Sequence, residues 1–207
     1  MGIYEDRVFP WLVTTLEGPK LRALVGRVVA GAQGDVLEIG FGMGKTLPHY
    51  GPAVRSLTVV EPSAAMNRRT APLLAAAPFD TAVIDARGEA LPLEDQRFDA
   101  AVCTLTLCSV GDPGAVLAEL RRVLKPGGTF HFVEHVMSEE PAVAAWQRRL
   151  DPLQRRLGCG CELSRDTPRR IREAGFELAS LERKVGPTPF QLVPLVFGVA
   201  RQPARPA

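Results

Sequence analysis

An α/β fold, a mostly parallel sheet with helices on both faces, is predicted for this 207-residue chain by three observations. From Asp35 onward, short apolar runs alternate with stretches of helical periodicity, the pattern of strands joined by crossover helices. The run Val36-Leu37-Glu38-Ile39 breaks into Gly40-Phe41-Gly42-Met43-Gly44, where residues without a Cβ let the backbone turn and approach a ligand closely. Glu61 then closes the second apolar run about 20 residues beyond the glycines, as a crevice outside the strand ends requires. At 46% hydrophobic and 23% charged residues the chain suits one soluble domain with a sizeable core. Its 25 basic and 23 acidic side chains leave a net charge of +2 without a basic block, so no nucleic-acid partner is expected. No apolar run approaches 20 residues, and the four cysteines lack the spacing of a disulfide framework. The expected setting is cytoplasmic, with no integral membrane segment.

Residues 1–34 read as an N-terminal helical segment, packed on the sheet edge, closing as a lid or making a peripheral membrane contact. Its first part is rich in aromatic residues, and its second has Leu21, Leu24, Val25, Val28 and Val29 at helical spacing. The main domain runs from 35 to 201. Strands are expected at Val36–Ile39, Leu57–Val60, Thr81–Ile84, Phe98–Cys103 and Thr129–Val133, with two closing strands near Phe176–Lys184 and Phe190–Ala200, seven in all. Helices are expected after the glycine loop to about Tyr50, over Ala64–Ala77, and from Asp112-Pro113 to Leu124, where the acid caps and proline suits the first turn. A helical insertion at about 138–165 carries a helix over Ala142–Arg156, and a further helix ends at Gly175. The tail 202–207 is expected to be disordered.

Spacing separates three readings of the glycine loop. The dinucleotide fingerprint needs its third glycine where Lys45 stands, and a P-loop ending at Gly44-Lys45-Thr46 would need glycine at Ile39. What remains, E-x-G-x-G-x-G, resembles the first motif of the Rossmann-like class I S-adenosylmethionine-dependent methyltransferases. The resemblance implies one antiparallel strand near the C-terminus. It also implies a donor site of Glu38, Gly40, Gly42, Gly44, Glu61, Pro62, Asp85, Ala86, Glu89 and Leu105. Glu61 has two oxygens for the two ribose hydroxyls. Glu38, costly to bury alone, would orient the loop and help hold the methionine ammonium, while the Gly40 and Gly42 amides face the ligand. Asp85-Ala86-Arg87-Gly88-Glu89-Ala90-Leu91-Pro92 departs from the family stretch by placing Arg87 where an adenine-contacting aspartate is usual. Asp85, Glu89 or a backbone amide then remains as the acceptor for the exocyclic amine.

Val102–Val110, Leu124–Val136, Trp146, Leu150-Asp151-Pro152 and Gly160-Cys161-Glu162-Leu163-Ser164-Arg165 are similar, more specifically, to the microsomal alkyl-thiol S-methyltransferases and their bacterial relatives. The animal members begin with a hydrophobic membrane anchor that this sequence does not show. The resemblance implies methyl transfer from S-adenosylmethionine, leaving S-adenosylhomocysteine, to a small and fairly hydrophobic acceptor, a thiol before others. Methylation of a lipid amine, phenol or quinone precursor, or a cofactor-binding scaffold without turnover, are the alternatives. A thiol of pKa about 8.5 needs little help to ionise. His135, at the end of the fifth strand, is the candidate base, with Glu134 orienting it or binding substrate. Cys108 is a candidate for the transfer channel; Phe9, Trp11, Trp146 and Cys161 are candidate acceptor contacts. His131 reads as a framework residue. Four convergent metal ligands are not evident from the spacing, so no metal is expected.

Overall fold

The computed structural model describes residues 18–184 and 193–204. Seven strands form one sheet in the order β3-β2-β1-β4-β5-β7-β6. They are β1 (Gly34–Ile39), β2 (Val54–Val60), β3 (Asp80–Ile84), β4 (Phe98–Thr104), β5 (Leu124–His135), β6 (Glu177–Lys184) and β7 (Leu195–Arg201). The first five strands pair in parallel, whereas β7 runs antiparallel to both β5 and β6, so β7 is the one reversed strand. Strand order reverses between β1 and β4, and a ligand crevice belongs outside their carboxyl ends.

The helices are α1 (Pro19–Val29), α2 (Ala64–Ala75), α3 (Pro113–Val123), α4 (Pro141–Leu157) and α5 (Thr167–Glu173). Side chains alternate across each strand, and two cores follow from that period of two. Leu37, Ile39, Ala101, Cys103, Phe130 and Phe132 face α3 and Ile171 of α5. Val36, Leu57, Val59, Ala100 and Val102 face Val29 of α1, Tyr50 and Leu74 of α2. Asp112 caps α3 as predicted, its Oδ1 accepting from the amides of Gly114 at 2.8 Å and Ala115 at 3.1 Å.

Several boundaries differ from expectation. After β1 the chain makes only a 3-10 turn, Leu47–His49, because the glycine loop consumes the residues a longer helix would need. β5 begins at Leu124, ahead of the predicted Thr129. Lys125-Pro126-Gly127-Gly128 lies within it as an irregularity, between the pairs Phe98↔Leu124 and Ala100↔Thr129. Gln202, expected to open a disordered tail, is held: its amide donates to the Gly128 carbonyl at 2.8 Å, and its side chain donates to the Arg121 carbonyl at 2.9 Å. The aromatic N-terminal segment, with Phe9 and Trp11, lies outside the described residues, as does the start of the last predicted strand.

Candidate active site

Two carboxylates inside strands organise the carboxyl end of the sheet. Glu38 of β1 is fully buried on the face it shares with Val36. Its Oε2 accepts from the Thr46 hydroxyl at 2.9 Å and the Tyr50 hydroxyl at 2.8 Å, while its Oε1 is buried with no hydrogen-bond partner. A buried orphan acceptor is costly, and it marks a place where a donor group belongs. Burial raises the Glu38 pKa to about 7, against the pull of the Tyr50 and Thr46 hydroxyls.

The titration has a definite sign. Its folded pKa near 7 lies above its ordinary 4.5, so the folded protein holds the proton more tightly. Glu38 therefore contributes stability that is complete below pH 4.5 and is lost as the pH rises through about 7; the difference is about 3 kcal/mol. A ligand ammonium favours the ionised form. Affinity for a cationic ligand group seated on Glu38 is expected to rise between pH 6 and 8 through one ionisation near 7. Calorimetric titration across that range should show the step in the wild type and not in Glu38→Gln.

The glycine loop wraps over this carboxylate. Gly40 has φ 77°, and a Cβ there would lie 2.3 Å from the Thr106 hydroxyl, so glycine is demanded by the chain that follows β4. Gly42 has φ 55°, and a Cβ there would meet nothing within 4 Å: it faces open space, where a side chain would project into the crevice. Gly44, at φ 71°, completes the turn. The expectation that the Gly40 and Gly42 amides face the ligand is corrected. The Gly40 amide donates to the Val60 carbonyl, and the Gly42 amide to Glu61 Oε2, both at 2.9 Å. These bonds tie the loop to the end of β2.

Glu61 is buried at that end, and its Oε1 accepts from the Ser63 amide at 2.9 Å. Burial raises its pKa, the two amides oppose the shift, and neighbouring Asp85 adds to it. Pro62 is exposed in the turn, and Ser63 caps α2 through its hydroxyl and the Met66 amide. Asp85 is exposed at the end of β3, and Ala86 follows with its amide on the Ile84 carbonyl. Glu89, a candidate adenine acceptor, has its Oε1 accepting from the amides of Gly111 at 3.0 Å and Asp112 at 3.4 Å, pinning the loop after β4.

That loop begins at Leu105, a non-glycine residue at φ 55° whose amide donates to the Val133 carbonyl at 2.7 Å. A branched side chain in this region costs about 1–3 kcal/mol and persists only where surroundings impose it. Glu134 of β5 imposes it. Fully buried, its Oε1 accepts from the amides of Thr106 at 2.9 Å and Leu107 at 2.8 Å, and its Oε2 from that of Cys108 at 3.0 Å. Burial pushes its pKa up while the three amides pull against the shift. The expectation that Glu134 orients His135 or binds substrate gives way to this one: it positions the 105–108 loop, and strand alternation turns it to the opposite face from His135.

Residues given no catalytic or binding role from the sequence complete the frame. The Arg165 guanidinium, almost wholly buried, donates to the Leu107 carbonyl at 2.6 Å and to Glu162 Oε2 at 3.0 Å. Gln147 of α4 is fully buried, donating to the carbonyls of Val136 and Leu163 and accepting from the Ser138 amide. A lone buried glutamine on a helix rich in arginine leaves no trace in a hydrophobic pattern. Thr46 and Tyr50, which grip Glu38, are equally silent; the first was visible only as the end of a failed P-loop. Asp151 accepts from the Leu163 amide at 2.8 Å and from the Ser164 hydroxyl, holding the end of the insertion. His131 is the framework residue expected, its Nδ1 lying 3.0 Å from the Val28 carbonyl and its Nε2 3.0 Å from the Thr129 hydroxyl.

The insertion brings Cys161 to the end of β5. His135 Nδ1 lies 3.7 Å from Cys108 Sγ and 3.5 Å from Cys161 Sγ, and the two sulfurs are 3.6 Å apart. Three sequence candidates thus form one cluster, where sequence spacing had shown no converging ligands. Trp146 is not brought to it. The tryptophan is 55% exposed on α4 with the Arg149 guanidinium 5.8 Å above its ring. A cavity of about 620 Å³ is lined by Ala86, Glu89, Ala90, Leu91 and Pro92 with Glu119 and Arg122 of α3, so two donor-site candidates, Ala86 and Glu89, border it while no glycine-loop residue does.

The reversal of strand order, the acid at the end of β2, the open cradle at Gly42 and the orphaned Glu38 oxygen fit a nucleoside with a cationic amino-acid tail. Together they define a class I S-adenosylmethionine-dependent methyltransferase. A methyltransferase-domain family model matches residues 37–132. Thiol S-methyltransferase TMT1B of Rattus norvegicus is 35% identical over 203 residues, covering 90% of this chain and 82% of the relative. Thiol S-methyltransferase TMT1A of Homo sapiens is 34% identical over 171 residues, covering 80% and 70%. The chain belongs to the methyltransferase family that contains these thiol S-methyltransferases.

Among solved structures, YcgJ of Bacillus subtilis superposes with TM-score 0.70 at 15% identity, covering 88% of this chain and 97% of its own. The [4+2]-cyclase SpnF superposes with TM-score 0.71 at 20% identity, covering 89% and 80%. These likenesses are of fold, and a cyclase among them shows that the fold does not by itself set the chemistry. No helix among the described residues is long and apolar enough to cross a membrane.

Proposed function

We propose that this enzyme transfers the methyl group of S-adenosylmethionine to the sulfur of a small, fairly hydrophobic thiol. The observation that carries the reading is kinship with thiol S-methyltransferases across 90% of the chain. Bound in the crevice, the donor supplies a methyl group already activated by its sulfonium charge. Glu61 receives the ribose hydroxyls, exchanging or sharing its amide partners, and Glu38 Oε1 receives the ammonium. Asp85 and Ala86 border the adenine, and the backbone at Leu105 and the turn at Gly44 shape the crevice floor.

What the protein must add is alignment. Holding nucleophile and methyl in line and excluding water is worth up to about 7–11 kcal/mol of barrier. The Leu105–Cys108 loop, fixed by Glu134 beneath and Arg165 above, presents the acceptor end of the crevice. The carboxylate beside His135 in sequence is committed to loop amides, so Glu134 and His135 do not form a carboxylate–histidine base pair. A thiol suits such a site because its thiolate forms near neutral pH and is favoured by the sulfonium. None of the four cysteines is in a disulfide, which accords with a cytoplasmic setting.

A panel of alkyl thiols, phenols and amines, read by release of S-adenosylhomocysteine, tests the acceptor. Release is expected with apolar thiols. Release with phenols or amines but not thiols would replace S-methylation by O- or N-methylation, and binding of donor without release to any member would leave a scaffold.

A further inference from the structure

Cys108, His135 and Cys161 are brought together from three parts of the chain: the loop after β4, the end of β5 and the insertion. We propose that they bind one thiophilic divalent cation of the zinc class, whose fourth coordination position is taken by the sulfur of the acceptor. Tetrahedral zinc with Zn–S of about 2.3 Å and Zn–N of about 2.0–2.1 Å sets its ligands about 3.8 Å apart for two sulfurs and about 3.6 Å for sulfur and nitrogen. The three separations here are 3.6 Å between sulfurs and 3.5 and 3.7 Å from sulfur to Nδ1, already those of a coordinated set.

The frame holds the ligands in this arrangement. The Glu162 amide donates to the Cys108 carbonyl at 2.8 Å, directly joining the insertion to the β4 loop. Cys159 at φ 46° and Gly160 at φ 94° make the turn that aims Cys161 inward, and a Cβ on Gly160 would lie 2.5 Å from the Ser109 carbonyl oxygen. Glu134 fixes the Cys108 amide from below. Leu163 and Val193 enclose the sulfurs in apolar surroundings. Both sulfurs are buried and His135 is half-buried, so the cluster is approached from the histidine side.

The donor set matches the chemistry. Thiolate and imidazole select zinc-like ions over magnesium or calcium, and two thiolates with a neutral imidazole balance a dication. Three protein ligands and one open position are the arrangement of reactive zinc sites, whereas structural sites close with four. Among the described residues the cluster has these three members.

The fourth-position assignment rests on the thiol-acceptor reading; the cation site itself does not. An entering thiol gives its proton to water. Its sulfur electron pair then forms the new carbon–sulfur bond as the donor's carbon–sulfur bond breaks and returns its pair to the donor sulfur. The products are a thioether, S-adenosylhomocysteine and one released proton, with the ion's charge unchanged.

The test uses the full chain, reduced and stripped of metal, without donor or acceptor. Zn²⁺ titrated in competition with a chromophoric chelator should bind in one equivalent. Cys161→Ser should weaken binding about 100-fold or more, beyond the roughly 10–100-fold lost with an outer-shell partner, and His49→Gln, at a histidine of the Leu47–His49 turn outside the cluster, should leave it unchanged. Co²⁺ in place of Zn²⁺ should show sulfur-to-cobalt charge transfer and the intense visible bands of a tetrahedral site, which reports the ligands in the wild type without any substitution. Absence of stoichiometric Zn²⁺ and Co²⁺ binding by the wild type, or equal binding by Cys161→Ser, overturns the site. An alkyl thiol, and not a phenol, should shift the cobalt bands; bands that stay still while the protein methylates that thiol overturn the fourth-position assignment. Failure of methyl transfer to any thiol, with Zn²⁺ bound, counts against the acceptor reading and leaves the cation site standing.

Discussion

Glu61→Ala is expected to weaken S-adenosylmethionine binding by a factor on the order of 100 or more. On the proposed reading, two hydrogen bonds from ribose hydroxyls to a buried carboxylate are at stake, each worth about 1.5–3 kcal/mol when one partner is charged. The same side chain fastens the glycine loop through the Gly42 amide and the α2 entrance through the Ser63 amide, so the variant also loses some preorganisation. Calorimetric titration measures the affinity, and a melting curve of the ligand-free variant verifies that the folded fraction is comparable. Unchanged affinity in a folded Glu61→Ala protein would place the donor elsewhere on the molecule.

Glu134→Ala is expected to have the largest effect on stability. It strands the buried amides of Thr106, Leu107 and Cys108, each at about 1–3 kcal/mol, against a total stability of about 5–15 kcal/mol. A loss of several kcal/mol should lower the melting temperature by roughly 10 °C or more in a chain of this size. Glu134→Gln separates shape from charge. Its one carbonyl oxygen can still serve Thr106 and Leu107, but its amide group opposes the Cys108 N–H, donor against donor. A smaller loss is expected, about 2 kcal/mol. An unaltered melting temperature in Glu134→Ala would show that the loop is held by its other contacts, chiefly Arg165 on the Leu107 carbonyl.

The donor half of the site was legible because its chemistry is local in the chain. Glu38, the three glycines and Glu61 lie on two consecutive strand ends, so spacing alone brings them to one crevice. The acceptor half was not, because its members meet only across the fold. Cys108 and Cys161 are 53 residues apart, and their sulfurs meet at 3.6 Å because the insertion folds back over the β4 loop. Glu134 and His135 illustrate the same limit at shorter range. Adjacent in sequence, they were read as partners; the period of two in a strand sends one beneath the loop and the other to the sulfurs. The structural task of Glu89 was hidden for a related reason, its Oε1 accepting from amides 22 and 23 residues onward.

By itself, then, the sequence determined the class of fold, the family and the donor that the family implies, since hydrophobic period and glycine spacing are one-dimensional signals. Tertiary structure decided which polar groups are committed to the frame and which still face a ligand. That distinction depends on hydrogen bonds between distant segments, which no local pattern records. It left Glu38 with one unpartnered oxygen, tied Glu134 to three amides, and set two thiols and an imidazole at the separations of a metal's ligands.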